Sequence, residues 1–347
     1  MCATGSASAA SKWGALAKPV AHTELPAVES LRISAAGFRL KFFGGSQLMS
    51  FEKTHRSQQQ TLARPALIAG RGLFHGIDVK VRLRPADPGT GIVFRRVDLK
   101  DRPEVAAHVD NVRPAARRTV LASRSGAVVE TVEHLMAALA GLHIDNCLVE
   151  INSIEIPAVD GSSMPFCEAI LAAGLTQQSV TRSLLSVSES QGVNDRAGEQ
   201  WIEVIPAYDG HATVDYRLDC GPEAVIASQS FSVELTPDAF LRDIAAARTF
   251  VLQDEVAALQ QMGFGRHLTA RDLVIFDTDG SVIQNNLRWQ DEPVRHKILD
   301  CIGDLALGGR LFVGRVVARR SGHKLNHVMA KTLSTIEVRR AALERAA

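Results

Sequence analysis

Hydrophobic and polar positions along this chain follow two different periods, which predicts a protein built from both strands and helices. Apolar and polar residues alternate strictly over 79–84, as expected of a half-exposed strand, and the stretches 92–97 and 146–151 are also strand-like. Over about 130–142 the apolar residues instead recur with helical spacing on one face. Together with a glycine-rich turn at 70–76 that closes a β hairpin, these elements predict one α+β layer.

The pattern restarts after a polar stretch at 176–182, which is typical of a linker between domains. Further strand-like and helical segments follow, with a strong helix at 291–305 and a last helix from about Leu325. Because the two halves have similar contents, we predict two α+β domains, 59–180 and 181–347, each a β-sheet layered with helices.

Residues 1–58 lie outside these patterns and are rich in Ala, Ser and Gly. They lack a continuous apolar core followed by a cleavage site, so a secretory signal is not predicted. Because Met49 precedes the first regular pattern, we expect this segment to be disordered or a mis-assigned N-terminal extension. An organelle-targeting role stays open, although Glu24 and Glu29 count against it, since transit peptides are poor in acidic residues.

Composition and charge narrow the class of protein. With 46% hydrophobic and 22% charged residues, the chain has the balance of an ordinary globular protein. A formal net charge of +1 provides no general attraction to nucleic acid or to an anionic membrane, so any acidic ligand must be bound locally. The cysteines are widely spaced without a C-x-x-C pair, which indicates reduced thiols in the cytoplasm, and no apolar run suggests a transmembrane segment.

The helix predicted over 291–305 carries the strongest chemical signal. Pro293 fits its first turn, and His296, Asp300 and Asp304 follow at i, i+4 and i+8, so an imidazole and two carboxylates share one stripe. A histidine and a carboxylate one turn apart can ligate the same zinc ion. Taken alone, such a stripe is more often the solvated face of an amphipathic helix, so the interpretation depends on partners elsewhere.

Glu133 and His134, near the start of the helix at 130–142, are candidate partners for that stripe. A hydrolytic zinc site needs three protein ligands, an open position for water and a carboxylate base beside that water, often with a second acid for the leaving group. His134 can supply the third ligand and Glu133 the base. On their own, the two residues could equally be a surface acid and a core histidine.

Five motifs, in a consistent order along the chain, strengthen the zinc interpretation. They are TVEHLMAALAGLHIDN at 131–146, EIPAVDGS at 155–162, ARTF at 247–250, VRHKILDCIGDL at 294–305 and SGHKLN at 321–326. These motifs resemble those of the zinc-dependent UDP-3-O-acyl-N-acetylglucosamine deacetylases of lipid A synthesis, and the likeness runs from about Gln59 to the C-terminus. It implies hydrolysis of the N-acetyl group of UDP-3-O-((R)-3-hydroxyacyl)-N-acetylglucosamine, giving acetate and UDP-3-O-acyl-glucosamine.

The resemblance also implies roles for individual residues. Zinc would be held by His134, His296 and Asp300, with iron(II) as an alternative because sites of this composition accept it too. Glu133 would be the general base toward the attacking water, and Thr249 would hydrogen-bond the developing oxyanion.

On the leaving-group side, the resemblance implies that a protonated His323 stabilises the tetrahedral intermediate and gives its proton to the departing amine. Asp304, one turn beyond Asp300, would orient and charge that imidazole. Lys297 and Phe250 match positions that contact the substrate.

The fold implied by the resemblance is two α+β domains with the active site between them, in a monomer. An insert at about 263–280 would form a passage for the acyl chain, whose preferred length stays open. Its Phe264, Leu268, Val274 and Ile275 would line that passage, although the same residues could simply belong to the core.

Two features depart from the family pattern. The usual Leu-His-Ser/Thr-Gly turn reads LFHG at 73–76, so Phe74 takes the place of the histidine, and we do not expect His75 to contact substrate in the usual way. His323 and His327 lie four residues apart and could chelate a metal of their own if the last helix includes both.

Two other classes of function are alternatives. A non-catalytic descendant of the same fold would be favoured by a missing ligand or base, and none is missing. A nucleic-acid binder would use basic residues near the C-terminus, but the near-neutral charge and the lack of interleaved aromatic residues disfavour it. These basic residues are Arg315, Arg319, Arg320, Lys324 and Lys331.

Overall fold

The computed structural model of this chain describes residues 58–207, 210–269 and 272–346. It confirms the predicted mixture of strands and helices. The predicted N-terminal extension, 1–58, lies outside the described residues except for Gln58. The first elements are β1 (Gln58–Leu62), β2 (Ala66–Arg71), β3 (Asp78–Pro85), β4 (Ile92–Arg96), β5 (Glu104–Ala106), β6 (Val112–Arg113), β7 (Val120–Ala122), β8 (Val128–Glu130), α1 (Glu133–Gly141), β9 (Cys147–Ile151), α2 (Met164–Ala173) and β10 (Leu175–Thr181).

The later elements follow the predicted order of strands, then helices, then one long strand before the last helix. They are β11 (Leu184–Ser186), β12 (Gln191–Asn194), β13 (Trp201–Ile205), β14 (Ala212–Leu218), β15 (Gln229–Glu234), α3 (Pro237–Asp243), β16 (Phe250–Leu252), α4 (Gln253–Gln261), β17 (Val274–Phe276), α5 (Glu292–Leu305), β18 (Leu311–Arg319) and α6 (His323–Ala346).

The strands form two larger sheets. The first has five strands in the order β2-β3-β9-β4-β5, and the second has six, in the order β12-β13-β18-β14-β15 with β11 also paired to β18. Alternate residues of β3 are buried, as its strict alternation predicted. Each large sheet thus comes from one half of the chain, while the predicted domain boundary near 180 stays a prediction.

Residues 176–181 of the polar stretch that was predicted as a linker are part of β10, which pairs antiparallel with β1. Its polar side chains serve tertiary contacts: Gln178 accepts a hydrogen bond from Asn146 and donates one to the carbonyl of Ala86. Because this strand is held by backbone and side-chain hydrogen bonds rather than by a buried apolar face, hydrophobic alternation gave no sign of it.

Helices α1 and α5 pack against each other in the core. Every residue of α1 is buried, and His296, Asp300 and Asp304 of α5 are buried as well. The interpretation of that stripe as a solvated outer face is therefore wrong. A Cβ built on Gly303 would overlap the carbonyl oxygen of Glu133, so glycine is needed where the two helices meet.

Three cysteines, Cys147, Cys167 and Cys301, are free and buried, as predicted. Within the described ranges, no helix is both long enough and apolar enough to cross a bilayer.

Candidate metal centre and active site

The three predicted metal ligands lie together in the core. His134 is in the first turn of α1, and His296 and Asp300 are one turn apart on α5. One ligand atom from each lies within 4.8 Å of the others. Asp300 Oδ1 is 3.7 Å from His134 Nε2 and 3.4 Å from His296 Nε2. In the described part of the chain this is the sole group of three or more residues with metal-ligand geometry.

These separations fit a tetrahedral metal ion. In tetrahedral geometry, bonds of about 2.0–2.2 Å to nitrogen and oxygen place neighbouring ligands of zinc about 3.3–3.6 Å apart. The second carboxylate oxygen of Asp300 accepts a hydrogen bond from Lys297 Nζ at 2.8 Å, which leaves Oδ1 facing the histidines. Two imidazoles and one carboxylate oxygen form the donor set of a catalytic zinc site.

The surroundings favour the protonation states in which these side chains can bind a metal ion. His296 Nδ1 lies 3.0 Å from the Ala247 carbonyl oxygen, so its proton belongs on Nδ1 and Nε2 is free to ligate. Burial lowers the pKa of His296 to about 3, which keeps the imidazole neutral. Burial alone would raise the pKa of Asp300, but His296 and Lys297 hold it well below its usual value.

A residue with strained backbone, Thr131, precedes α1 and sets the direction of Glu133 and His134 at the start of that helix. Thr131, between β8 and α1, has a φ of 58°, in the left-handed region that β-branched residues avoid. Its hydroxyl donates to Glu155 Oε1 at 3.0 Å, and its amide donates to the carbonyl of Thr119 at 2.9 Å. These bonds fix the start of the helix.

Glu133 is the carboxylate predicted to act as base. Its Oε2 accepts a hydrogen bond from the backbone amide of Thr119 at 3.1 Å, and its Oε1 lies 3.9 Å from His323 Nε2. Burial raises the pKa of Glu133, and the imidazoles of His323 and His134 oppose that rise. A carboxylate with a raised pKa is a better proton acceptor than an ordinary one.

His323, the predicted acid, turns Nε2 toward Glu133, and its other ring nitrogen is hydrogen-bonded to Asp304. Its Nδ1 lies 2.8 Å from Asp304 Oδ2. Burial opposes its protonation, but the carboxylates, Asp304 foremost, raise the pKa of His323 to about 10. His323 is therefore a cation at neutral pH. For Asp304, burial would raise the pKa, but His323 and His327 lower it.

A single cavity of about 740 Å³ opens onto these groups. Eight of the nine predicted site residues line it, and Asp304 lies behind His323, fully buried. The Phe250 ring makes an edge contact with the His296 ring, with ring centres 6.1 Å apart, and Lys297 Nζ lies 5.4 Å from the centre of the Phe250 ring. The eight lining residues are Glu133, His134, Thr249, Phe250, His296, Lys297, Asp300 and His323.

The insert contributes part of the wall of this cavity. Phe264 and Leu268 line it, whereas Val274 belongs to the core and Ile275 is not a lining residue. Of the four residues predicted to line an acyl passage, two therefore reach the cavity. Residues 270–271 lie outside the described part.

In the LFHG turn at 73–76, Phe74 faces the cavity and His75 does not. Phe74 lines the cavity, and its ring lies edge-on to Phe264 at 5.5 Å. His75 points away, and its Nε2 lies 3.0 Å from Glu130 Oε2. Arg118 also hydrogen-bonds Glu130, and its guanidinium lies 4.4 Å from the Phe74 ring. His75 is not among the residues that line the cavity.

Helix α6 begins at His323 and therefore includes His327, but the two do not form a second metal site. His327 Nε2 lies 2.9 Å from Thr119 Oγ1 and 3.2 Å from Asp304 Oδ1, so that nitrogen is already engaged. Most of the nearby basic residues form ion pairs with acidic ones rather than an open basic stripe. These pairs are Arg315 with Asp215, Arg319 with Asp219, Arg320 with Glu199 and Lys331 with Asp110.

Sequence reasoning predicted Asp304 as a supporting residue but missed several others. Arg248 donates to both carboxylate oxygens of Glu292, and both residues are buried. This pair fixes the segment whose Ala247 carbonyl accepts from His296. Thr119 contacts both Glu133 and Asp304. Because these partners are far apart in the sequence, no local pattern could have identified them.

Comparison with known proteins agrees with this geometry. The family described as LpxC, UDP-3-O-acyl N-acetylglycosamine deacetylase, matches residues 59–335. The UDP-3-O-acyl-N-acetylglucosamine deacetylase of Geobacter sp. (strain M21) is 40% identical over 275 residues, which are 79% of this chain and 88% of that protein. The protein of the same name from Idiomarina loihiensis is 36% identical over 277 residues, 80% of this chain and 89% of its own length.

A third relative of that name, from Myxococcus xanthus, is 39% identical over 275 residues, which cover 79% of this chain and 85% of the relative. The matched region contains the three predicted metal ligands, the predicted base and acid, and the cavity described above. By the extent of this match and by the identity of its relatives, the chain belongs to the LpxC family of deacetylases.

Proposed function

We propose that this protein hydrolyses the N-acetyl group of UDP-3-O-((R)-3-hydroxyacyl)-N-acetylglucosamine, giving acetate and UDP-3-O-acyl-glucosamine in lipid A biosynthesis. The observation that carries the proposal is the arrangement of one base, one cationic imidazole and three metal ligands around a single cavity. Amide hydrolysis needs these parts together, because water must lose a proton while the leaving amine gains one.

His134, His296 and Asp300 would hold the metal, which we propose to be zinc, with iron(II) as the alternative. Their spacing supports a tetrahedral ion, and the neutral state of His296 supports binding without competition from a proton. When bound there, zinc would supply a Lewis acid toward the acetamide carbonyl and lower the pKa of a water molecule.

Glu133 is the proposed general base. Its Oε2 is held by the amide of Thr119, which leaves Oε1 to take a proton from water in the cavity. Oε1 also lies 3.9 Å from His323 Nε2, so one reacting group in the cavity can be within hydrogen-bond reach of both the base and the acid.

His323 is the proposed general acid, with Asp304 as its positioning partner. Because Asp304 accepts from Nδ1, the proton available for transfer is the one on Nε2, which points toward Glu133 and the cavity. That proton would pass to the amide nitrogen as its bond to the carbonyl carbon breaks. The positive charge of His323 would also stabilise the oxyanion that precedes this step.

The remaining lining residues would bind the substrate. Thr249 is proposed to donate its hydroxyl proton to the oxyanion, and Lys297 and Phe250 to contact the sugar. Arg320 and Lys324 at the cavity would supply positive charge for the diphosphate.

The acyl chain is proposed to lie along the apolar part of the wall, which includes Phe264 and Leu268 of the insert. The active site would then lie between two α+β domains, 59–180 and 181–347, each of which contributes one helix to the metal site. The predicted monomer and cytoplasmic location stay predictions.

Acetate release from UDP-3-O-acyl-N-acetylglucosamine tests the proposal, measured for the unaltered protein and for Glu133→Ala with bound metal quantified in both. We expect activity in the unaltered protein, loss of at least about 100-fold in the variant, and about one metal ion per chain in each. If the metal-loaded unaltered protein releases no acetate across several acyl lengths, the substrate assignment fails and a binding-only descendant is favoured.

A further inference from the structure

Thr119, just before β7, contacts both halves of the proposed catalytic machinery. Its backbone amide donates to Glu133 Oε2 at 3.1 Å, and its hydroxyl donates to Asp304 Oδ1 at 2.6 Å. The side chain is fully buried and does not line the cavity. One residue thus ties the base to the carboxylate that supports the acid.

Asp304 is held by four partners, two on each oxygen. Its Oδ2 accepts from His323 Nδ1 at 2.8 Å and from Asn326 Nδ2 at 2.9 Å. Its Oδ1 accepts from Thr119 and lies 3.2 Å from His327 Nε2. A carboxylate bonded at both oxygens cannot rotate freely, so its orientation sets the direction in which the imidazole of His323 points.

His327 completes this arrangement from the next turn of α6. Its ring stacks on that of His323, with centres 6.2 Å apart, and its Nε2 lies 2.9 Å from the Thr119 hydroxyl oxygen. Because the Thr119 hydroxyl proton is directed to Asp304, the hydroxyl oxygen must accept here, and the proton of the second bond belongs to His327 Nε2. The hydrogen bonds therefore run in one direction, from His327 through Thr119 to Asp304.

We infer that Thr119 and His327 are positioning residues for the proposed deacetylation, acting through Asp304 and Glu133 to fix the acid and the base relative to each other. The inference rests on the proposed function for its catalytic consequence. Neither residue reaches the cavity, so both act on the rate of proton transfer and not on the binding of substrate.

The test compares substitutions that remove a hydrogen bond with ones that keep it. Thr119→Val preserves shape without the hydroxyl, whereas Thr119→Ser retains the hydroxyl. At the second position, His327→Leu removes the donor and His327→Gln keeps one at a similar distance from the backbone. Thr332→Val, on the exposed side of α6, is the matched control, since Thr332 bonds only its own helix.

We expect Thr119→Val and His327→Leu to lower kcat about 10- to 100-fold, the range typical of hydrogen-bond partners of metal ligands, with KM changed less than about 3-fold. Thr119→Ser and His327→Gln should recover most of the lost rate, and the control should match the unaltered protein. Metal content and the melting temperature of each variant identify any protein that fails to fold.

A proton NMR measurement tests the geometry without activity. The proton shared by His323 Nδ1 and Asp304 should give a downfield signal that persists in Thr119→Ser and is shifted or lost in Thr119→Val. Unaltered kcat and an unaltered signal in Thr119→Val would overturn the inference, as would a loss in Thr119→Ser equal to that in Thr119→Val. An inactive unaltered protein would instead refute the proposed function, and the NMR signal would still decide the inference.

Discussion

At the scale of single residues, the site depends on ionisable groups that are buried together. Glu133, Asp300 and Asp304 all lie in the core, where an isolated carboxylate would be strongly disfavoured. Each is compensated by an imidazole, an ammonium group or a backbone amide. Burial raises the pKa of Glu133, which suits it as a proton acceptor, and the carboxylates around His323 raise the pKa of that imidazole against the effect of burial, which keeps it protonated.

The pH dependence of activity should reveal the contact between Asp304 and His323. Removing the negative charge in Asp304→Asn lowers the pKa of His323 from its raised value near 10 toward the ordinary value of 6.5. Because the proposed acid, His323, must be protonated to act, the alkaline limb of kcat/KM should move to lower pH, and kcat at neutral pH should fall about 10-fold or more.

The measurement is a pH profile of acetate release for the unaltered protein, Asp304→Asn and a control, Asp215→Asn, whose carboxylate pairs with Arg315. An alkaline limb that stays in place in Asp304→Asn would refute this account of the acid.

At the scale of secondary-structure elements, the close packing of α1 on α5 brings the two parts of the metal site together. His134 comes from one helix, and His296 and Asp300 from the other. Gly303 allows this packing because it leaves room for the backbone of Glu133 and lies 3.2 Å, measured from a built Cβ, from the amide nitrogen of Ala137.

Gly303→Ala should force these helices apart. The added methyl group overlaps backbone rather than a movable side chain, so the free energy of unfolding should fall by about 1–3 kcal/mol or more, and metal affinity should fall with it. Gly192→Ala is the matched control, because no atom lies within 4 Å of a Cβ built there. Chemical denaturation and metal-binding titration measure both effects; equal stability of the two variants would contradict this view of the interface.

The sequence indicated some of these elements well and others poorly, for physical reasons. Helix α5 was predicted because Pro293 and the spacing of its apolar residues mark a helix locally. Its burial was not predictable from that pattern, since the polar face is covered by another part of the chain. Strand β10 was missed because its polar side chains bond to distant residues.

The candidate site was predictable where its residues belong to short sequence motifs. His134, His296 and Asp300 were expected as ligands from the family resemblance and meet in one place. Thr119 was not expected, because it becomes significant only through partners as far away as Asp304, 185 positions along the chain. His327 was considered only as a metal ligand, and the structure engages its Nε2 with Thr119 and Asp304 instead.

At the scale of the whole molecule, metal binding should stabilise the fold, because its ligands come from helices in different halves of the chain. A metal that binds the folded state alone adds RT ln(1 + [L]/Kd), about 4 kcal/mol at a thousand-fold excess over Kd. The melting temperature should therefore rise by roughly 5–10 °C when zinc is added to chelator-treated protein.

His134→Ala should lose that rise, whereas His211→Ala should keep it, since His211 is half-exposed and pairs with Glu234. Scanning calorimetry with and without zinc measures the difference. A similar zinc-dependent shift in both variants would mean that the stabilising metal binds elsewhere.

The most direct test of the central claim is a zinc titration of chelator-treated protein, followed by acetate release from UDP-3-O-acyl-N-acetylglucosamine. If His134, His296 and Asp300 form one catalytic metal site, activity should be absent without metal and rise linearly until about one equivalent is added. Asp300→Ala should stay inactive over the same range. Full activity in the metal-free protein, or in Asp300→Ala, would contradict the assignment of this centre.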